Sequence, residues 1–147
     1  MSETRNGKCL CGAVKVEINL REDNAELHAC HCGMCRSWSG SALIGMAVKP
    51  DDIRIEGPVR SRASSDWAAR DWCDTCGSTL WYRLTVPGHE FYHVSAGLFD
   101  NAADLPLTKE IFIDRKPSGY AFAGDHELKT QAEMEAIFAS FGKETGQ

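Results

Sequence analysis

Seven cysteines in three short clusters constrain this chain more than any other feature of its sequence. The clusters read Cys9-x-Cys11, Cys30-x-Cys32-x-x-Cys35 and Cys73-x-x-Cys76. Thiolates two or three residues apart can turn inward onto a single ion, and zinc takes four such ligands tetrahedrally at about 2.3 Å. Seven ligands therefore predict two ions, one held by four thiolates and one held by three.

The three-thiolate site is the one that predicts chemistry. A closed four-sulfur site is structural, whereas three protein ligands leave a position for water or a substrate. A disulfide framework is the weak alternative, because the number of cysteines is odd, vicinal Cys-x-Cys pairs bridge poorly and the polar segment Met1 to Lys8 does not resemble a signal peptide. An iron–sulfur cluster is a further alternative, but separate Cys-x-x-Cys knuckles followed by Gly or Arg suit zinc better.

Composition bounds the fold and its partners. A chain of 147 residues that is 43% hydrophobic and 25% charged predicts a single domain over residues 1–147 with one core. No apolar run approaches the roughly 20 residues that cross a bilayer, and reduced cysteines indicate the cytoplasm. The formal charge is −5, and seven thiolates with two zinc ions would bring it to about −8. We therefore expect neither a membrane nor a nucleic acid as partner, because nucleic-acid binding needs clustered Lys and Arg.

Short runs of alternating residues predict a mainly β fold of antiparallel strands. The strands are expected within residues 7–20, 42–48, 52–56, 78–86, 91–98 and 110–114. In the first run, a period of two places Cys9 and Cys11 on one face. One helix is predicted near the C-terminus, over about residues 131–141, with Thr130 and Glu133 as a capping box and Gly142 at its end. Its apolar side chains predict a core-facing stripe: Met134, Ile137, Phe138 and Phe141.

Taken together, the clusters and their neighbours resemble a known family. The segments that carry the resemblance are Cys9-x-Cys11-Gly12, Cys30-His31-Cys32-x-x-Cys35-Arg36, Arg70, Trp72-Cys73-x-x-Cys76-Gly77, Ala96 to Asp100 and Ile111 to Asp114. Over about residues 7–120, this pattern is similar to that of the glutathione-dependent formaldehyde-activating enzyme family. The resemblance implies an Mss4-like fold, in which short antiparallel strands surround zinc knuckles, followed here by the C-terminal helix.

The resemblance also implies which ligands hold which ion. In that family the first and last clusters meet around a structural zinc, which here means Cys9, Cys11, Cys73 and Cys76. The middle cluster would hold a second, functional zinc through Cys30, Cys32 and Cys35. The family's reaction adds the thiol of glutathione to formaldehyde and gives S-(hydroxymethyl)glutathione. A zinc-dependent carbon–sulfur lyase or thiol–aldehyde adduct synthase is thus implied, with an aldehyde and a small thiol such as glutathione as partners.

Several residues near the clusters are candidates for accessory roles. Three thiolates on one Zn²⁺ leave a net charge of −1, so a nearby cation would be useful, and Arg36 is the first candidate. Arg36 and Arg70 are candidates for substrate binding, although Arg70 could instead pair with Asp66 or Asp71 at the surface. His31 and Arg36 are the catalytic candidates, but in an extended segment His31 points away from the metal, which favours a packing role. His28 shares a face with the ligands and could supply a fourth one.

Two departures from the family bear on the substrate. Many members have a histidine before the Ile-Phe pair, where this chain has Glu110, and a tryptophan after the Lys-Pro step, where this chain has Ser118-Gly119-Tyr120. If this segment lines the pocket, the substrate differs from glutathione plus formaldehyde. The alternative function is a non-catalytic Mss4-like zinc module that binds a protein partner or buffers zinc, with the middle cluster closed by His28 or another residue.

Overall fold

A computed structural model describes residues 3–144, and within them the chain forms eleven β-strands and two α-helices. The strands are β1 (Glu3–Lys8), β2 (Lys15–Leu20), β3 (Leu27–Cys30), β4 (Leu43–Val48), β5 (Ile53–Glu56), β6 (Val59–Ala63), β7 (Ala68–Cys73), β8 (Thr79–Leu84), β9 (Phe91–Ser95), β10 (Leu107–Ile111) and β11 (Glu127–Lys129). The helices are α1 (Gly33–Ser39) and α2 (Gln131–Glu144). The predicted mainly β fold with a C-terminal helix is confirmed. The ends of the domain predicted over 1–147 lie outside the described residues.

The strands form two sheets. The larger sheet has eight strands in the order β11-β10-β3-β4-β9-β8-β7-β6, and the smaller has three in the order β1-β2-β5. Seven of the nine strand pairings are antiparallel, and β10 alone pairs in parallel, with β3 on one side and β11 on the other. None of the helices within residues 3–144 combines the length and the apolar character needed to span a membrane.

The smaller sheet covers one face of the larger sheet. Val16 and Ile18 of β2 belong to the same buried cluster as Met46 of β4, Trp81 of β8 and Val94 of β9. Trp81 and Val94 are Cα partners in the sheet, as are Val94 and Met46, so their side chains point to the same side. This cluster is the main core, and burial of its apolar side chains is the principal force that holds the two sheets together.

The opposite face of the larger sheet carries a second, smaller buried cluster. Alternation along β8 turns Tyr82 away from the main core, and Tyr82 packs in this second cluster with Cys30 and Leu43. Helix α1 covers this face and contributes Cys35 and Trp38. The middle cysteine cluster therefore lies on the other side of the sheet from the main core.

The first predicted strand, over residues 7–20, is wrong as a continuous element. A turn divides it, because the Cys9 N–H donates to the Val14 carbonyl at 3.0 Å and the Gly12 N–H donates to the Cys9 carbonyl at 3.1 Å. Gly12 has φ of +82°, a left-handed conformation that glycine adopts without steric cost. Cys9 and Cys11 thus lie in a turn between β1 and β2 rather than on one face of a strand.

The helices also differ from the prediction in two respects. Helix α1 was not predicted, because seven residues are too few to show a helical period and its N-cap is a thiol: Cys32 Sγ accepts from the Cys35 N–H. Helix α2 begins with the predicted capping box, in which the Thr130 N–H donates to Glu133 and the Glu133 N–H donates to Thr130. It continues through Gly142 to Glu144, because glycine permits a left-handed cap without requiring one.

The predicted core-facing stripe of α2 is only partly buried. Met134 is buried, Phe138 and Phe141 are half-buried, and Ile137 is exposed. The helix packs mainly beside the short 3₁₀ turn Ile113–Arg115 at the margin of the sheet, so only one side of its stripe meets the rest of the protein.

Candidate metal centres

The first and last cysteine clusters come together although Cys11 and Cys73 are 62 residues apart in sequence. The Sγ atoms of this four-cysteine group all lie within 4.8 Å of one another: Cys9, Cys11, Cys73 and Cys76. Cys11 Sγ is 3.6 Å from Cys9 Sγ and 3.8 Å from Cys73 Sγ. Sulfurs at the corners of a zinc tetrahedron are about 3.8 Å apart, whereas a disulfide bond is about 2.05 Å long. The observed spacing therefore fits four thiolates around a metal, and all seven cysteines are free.

Each of the two knuckles directs backbone N–H groups at its sulfurs. The Val14 N–H donates to Cys9 Sγ at 3.3 Å, and the Cys76 N–H donates to Cys73 Sγ at 3.4 Å. In the second knuckle the chain turns back through Gly77, whose φ is +78° and whose N–H donates to the Cys73 carbonyl at 2.8 Å. Such donors favour the thiolate form that binds metal.

Ser78 connects the two knuckles. Its hydroxyl oxygen accepts from the Leu10 N–H at 3.0 Å and lies 3.1 Å from Cys76 Sγ, to which the hydroxyl can donate. Hydrogen bonding from Ser78 lowers the pKa of Cys76 to about 5. The four-cysteine group thus ties the β1–β2 turn to the β7–β8 turn and offers the four ligands of a tetrahedral site.

The middle cluster forms a second group of three sulfurs. Cys30 ends β3, Cys32 caps α1 and Cys35 lies within α1, and their Sγ atoms are all within 4.8 Å of one another. No histidine or carboxylate from residues 3–144 joins this group. Cys30 and Cys35 are buried, whereas Cys32 is half-buried and marks the side from which solvent reaches the group.

The three thiols of the middle cluster already favour one negative charge. Hydrogen bonds from Cys30 and then from Cys35 lower the pKa of Cys32 to about 2. The same contact with Cys32 raises the pKa of Cys30, and burial adds to that effect. The three thiols thus interact strongly, and loss of a proton from one of them opposes loss of a proton from its neighbours, as expected where acidic groups converge.

Arg70 contacts this group with its guanidinium. It extends from the centre of β7, is 7% exposed, and places Nη1 at 3.6 Å and Nη2 at 3.7 Å from Cys35 Sγ. Its guanidinium lies over the rings of Trp38 and Tyr82, at 5.1 and 5.2 Å from their centroids. It does not pair with Asp71, whose carboxylate accepts from Trp81 and Arg83 instead. These contacts favour a role for Arg70 beside the cysteines over a pairing at the surface.

Arg36 and His28 lie near the middle cluster without contacting its sulfurs. Arg36 Nε donates to the His31 carbonyl at 3.0 Å, and the side chain is half-buried at the end of α1. His28 Nε2 lies 3.6 Å from Glu26 Oε2, and His28 is not in the group of converging ligand atoms. The alternative in which His28 closes the middle cluster receives no support from this geometry.

His31 belongs to a buried network that sequence reasoning missed. Its Nε2 donates to Glu110 Oε1 at 2.8 Å, and the other oxygen of Glu110 lies 2.7 Å from His126 Nδ1. The His31 ring is fully buried and stacks on Phe122 at 5.7 Å between centroids. Burial raises the pKa of Glu110, but the hydrogen bonds from His126 and His31 outweigh it and leave that pKa below its ordinary value. His31 therefore anchors the segment between two ligands and turns its ring away from them.

The residues that surround the middle cluster could not be found from spacing in sequence. Trp38 and Tyr82 come from α1 and β8, and only strand register shows that Tyr82 is the Cα partner of Arg70. Glu110 gave one signal, because it stands where the family often has histidine. His126 gave none, since it lies beyond the segment that resembles the family.

Comparisons with known proteins place the chain in a family. The model of a family described as glutathione-dependent formaldehyde-activating enzyme matches residues 4–115. An uncharacterized lyase of Schizosaccharomyces pombe is 33% identical over 130 residues, which cover 87% of this chain and 92% of that protein.

Two further relatives match over a shorter stretch. The "Putative glutathione-dependent formaldehyde-activating enzyme" of Podospora anserina is 35% identical over 89 residues, 58% of this chain and 41% of that protein. The protein of the same name in Emericella nidulans is 33% identical over 94 residues, 58% of this chain and 48% of that protein. The matched segment thus spans less than half the length of these two relatives.

One solved structure supports the fold. A protein of Rhodobacter sphaeroides superposes on the chain with a TM-score of 0.54 and 23% sequence identity, over 70% of this chain and 99% of the other. At this identity the similarity concerns the fold alone.

Proposed function

Because the chain belongs to the glutathione-dependent formaldehyde-activating enzyme family, we propose that it is a zinc-dependent enzyme that joins a small thiol to an aldehyde or cleaves the resulting carbon–sulfur bond. The observation that supports this proposal most is the middle cluster, where Cys30, Cys32 and Cys35 converge with no fourth ligand from residues 3–144. The four-cysteine group already has the four ligands of a closed tetrahedral site, so we assign it a structural zinc.

The donor set of the middle cluster fits zinc. Three soft thiolates within tetrahedral spacing suit Zn²⁺ and leave one coordination position open. When bound there, zinc supplies a Lewis-acid position that can take a thiolate or polarise an aldehyde oxygen. We place the approach of the substrate on the side of Cys32, because Cys30 and Cys35 are buried and Cys32 is partly open to solvent.

The proposed reaction needs no oxidant or reductant. In the forward direction a bond forms between the thiol sulfur and the aldehyde carbon, the carbon–oxygen double bond becomes single, and the thiol proton ends on the oxygen as a hydroxyl group. The reverse reaction breaks the same sulfur–carbon bond and returns the proton to sulfur. Accordingly, the site must bind and orient the two substrates and balance their charge. We also propose that the protein works in the cytoplasm, since thiolate ligands persist where thiols stay reduced.

The residues around the middle cluster divide this work. Trp38, Tyr82 and Phe112 pack against the cysteines and keep water from their inner side. We propose Arg36 as the contact for a substrate carboxylate, because it follows the cluster directly on α1 and is only half-buried. Glutathione, which carries two carboxylates, is the thiol that the family name implies for this site.

The test is exchange spectroscopy by NMR on a mixture of glutathione and formaldehyde. We expect the zinc-loaded wild type to accelerate exchange between free and adduct signals, and Cys32→Ser to slow it at least about a hundredfold, because losing a Lewis acid costs several kcal/mol in the transition state. Zinc alone at the same concentration is the matched control and should leave the spontaneous rate unchanged.

Three outcomes are informative. Equal acceleration by wild type and Cys32→Ser would remove the middle cluster from the reaction. Acceleration with another small thiol but not with glutathione would keep the reaction class and exclude glutathione as the substrate. A wild type that binds two zinc ions and accelerates none of the thiols would contradict the proposed enzyme and favour a non-catalytic zinc module.

A further inference from the structure

Arg70 is a buried cation that lacks a carboxylate partner among the described residues. Only 7% of the residue is exposed, and none of the ion pairs within residues 3–144 includes it. The nearest candidate in sequence, Asp71, points to the opposite face of β7 and binds Arg83 Nε at 2.8 Å. Burying an unpaired guanidinium is costly, so a compensating negative charge is expected beside it.

The sulfurs of the middle cluster can supply that charge when they bind zinc as thiolates. Both terminal nitrogens of Arg70 lie within hydrogen-bond distance of Cys35 Sγ, at 3.6 and 3.7 Å, whereas Nε is buried without a partner. The rings of Trp38 and Tyr82 lie over the guanidinium at 5.1 and 5.2 Å, which stabilises a cation and fixes its plane. The guanidinium is therefore held with both of its terminal nitrogens toward Cys35 Sγ, a proposed metal ligand.

We propose that Arg70 is the positioning residue of the three-cysteine site: its guanidinium neutralises the net charge that three thiolates leave on one zinc ion, and it holds Cys35 in the ligating orientation. The inference rests on the proposed function only in that the middle cluster is taken to bind zinc. Three thiolates with Zn²⁺ carry a charge of −1, and the single positive charge of Arg70 brings the buried assembly to zero.

This role replaces the one first expected for Arg36. The Nε of Arg36 is engaged with the His31 carbonyl at 3.0 Å, and Arg36 makes no contact with a cysteine sulfur that meets hydrogen-bond distance. A lysine at position 70 would keep the charge but lose the paired terminal nitrogens and most of the stacking on the two rings. The geometry thus depends on the guanidinium group as well as on its charge.

The experiment measures zinc affinity rather than turnover. Full-length wild type, Arg70→Met, Arg70→Lys and the matched control Arg36→Met are reduced, loaded with zinc and titrated with a chromophoric chelator. We expect Arg70→Met to weaken the second zinc ion about 10- to 100-fold, the range found when a residue that supports a metal ligand is lost, and to leave the first ion unchanged. Arg70→Lys should lie between Arg70→Met and wild type, and Arg36→Met should match wild type.

Cobalt substitution adds a spectroscopic signature. Hydrogen bonds to a thiolate lower the energy of its lone pairs, so their loss in Arg70→Met should move the thiolate-to-cobalt charge-transfer band to longer wavelength. If the first metal stays bound, the variant is folded. A shift of the band then reports the change at Cys35 rather than a loss of the fold.

The proposal is overturned if Arg70→Met binds the second zinc within about twofold of wild type, or if Arg36→Met weakens it as much. If Arg70→Met loses both ions through misfolding, Arg70→Lys decides: a weakened second ion with the first retained supports the proposal, and wild-type affinity for both overturns it. Failure of the proposed reaction leaves this result intact, because the chelator titration requires no substrate.

Discussion

At the residue scale, His93 shows how burial sets a protonation state near the middle cluster. It lies in β9, is buried, and its Nε2 is 3.4 Å from the Leu43 carbonyl. Burial lowers the pKa of His93 to about 4, and the nearby charges of His28 and Arg70 act in the same direction. The imidazole of His93 is therefore neutral in the folded protein. It takes up a proton more readily in the unfolded chain, where its pKa is higher.

The consequence is a loss of stability in acid. Because the folded pKa lies below the unfolded value of 6.5, the contribution of His93 is complete above pH 6.5 and is lost as the pH falls toward 4. We expect the free energy of unfolding to drop by on the order of 3 kcal/mol from this group over that interval, and His93→Gln to lack that part of the slope. Denaturant unfolding at matched pH values measures both proteins. Identical acid slopes would contradict the assignment, since loss of metal in acid affects wild type and variant alike.

At the element scale, Glu110 fastens β10 to the segment that follows it. Its two carboxylate oxygens bind His31, between β3 and α1, and His126, just before β11. We expect Glu110→Gln to lower the free energy of unfolding by about 1 to 3 kcal/mol, because a buried charge-assisted pair of hydrogen bonds is replaced by weaker ones. Urea unfolding at neutral pH measures the change.

Glu127→Gln is the matched control for this prediction. Glu127 lies on the neighbouring strand β11 and pairs with Lys109 at 3.3 Å, but its side chain is 54% exposed. An exposed pair contributes about 0 to 1 kcal/mol, so this variant should remain close to wild type. An equal decrease in the free energy of unfolding in the two variants would show that the buried network stabilises the fold no more than an exposed ion pair does.

The elements also show where sequence reasoning succeeds and where it stops. The capping box of Thr130 and Glu133 could be predicted, because local spacing alone determines it. The turn around Gly12 could not, since residues 7–20 alternate through it as a strand would. Strand register, which brings Arg70 beside Tyr82, is likewise absent from local patterns, because it depends on pairings between segments far apart in sequence.

At the scale of the whole molecule, the two cysteine groups serve two different clusters of buried residues. Cys9 and Cys73 pack within the main core between the sheets, whereas Cys30 and Cys35 pack on the opposite face under α1. The split of seven cysteines into four and three could be predicted from their number, and the resemblance to the family implied which cysteines form each group. The residues that surround each group could not be predicted, because they depend on which elements pack on each face of the larger sheet.

The central prediction is that the protein binds two zinc ions, one with four cysteine ligands and one with three cysteine ligands and an open position. Diffraction at the zinc absorption edge, from crystals of reduced protein supplied with two equivalents of zinc, tests this directly. We predict two anomalous peaks, each about 2.3 Å from its sulfurs: one among Cys9, Cys11, Cys73 and Cys76, the other bound by Cys30, Cys32 and Cys35 with its fourth position held by water or an added thiol. A middle cluster without zinc, or one closed by a fourth protein ligand, would contradict the account.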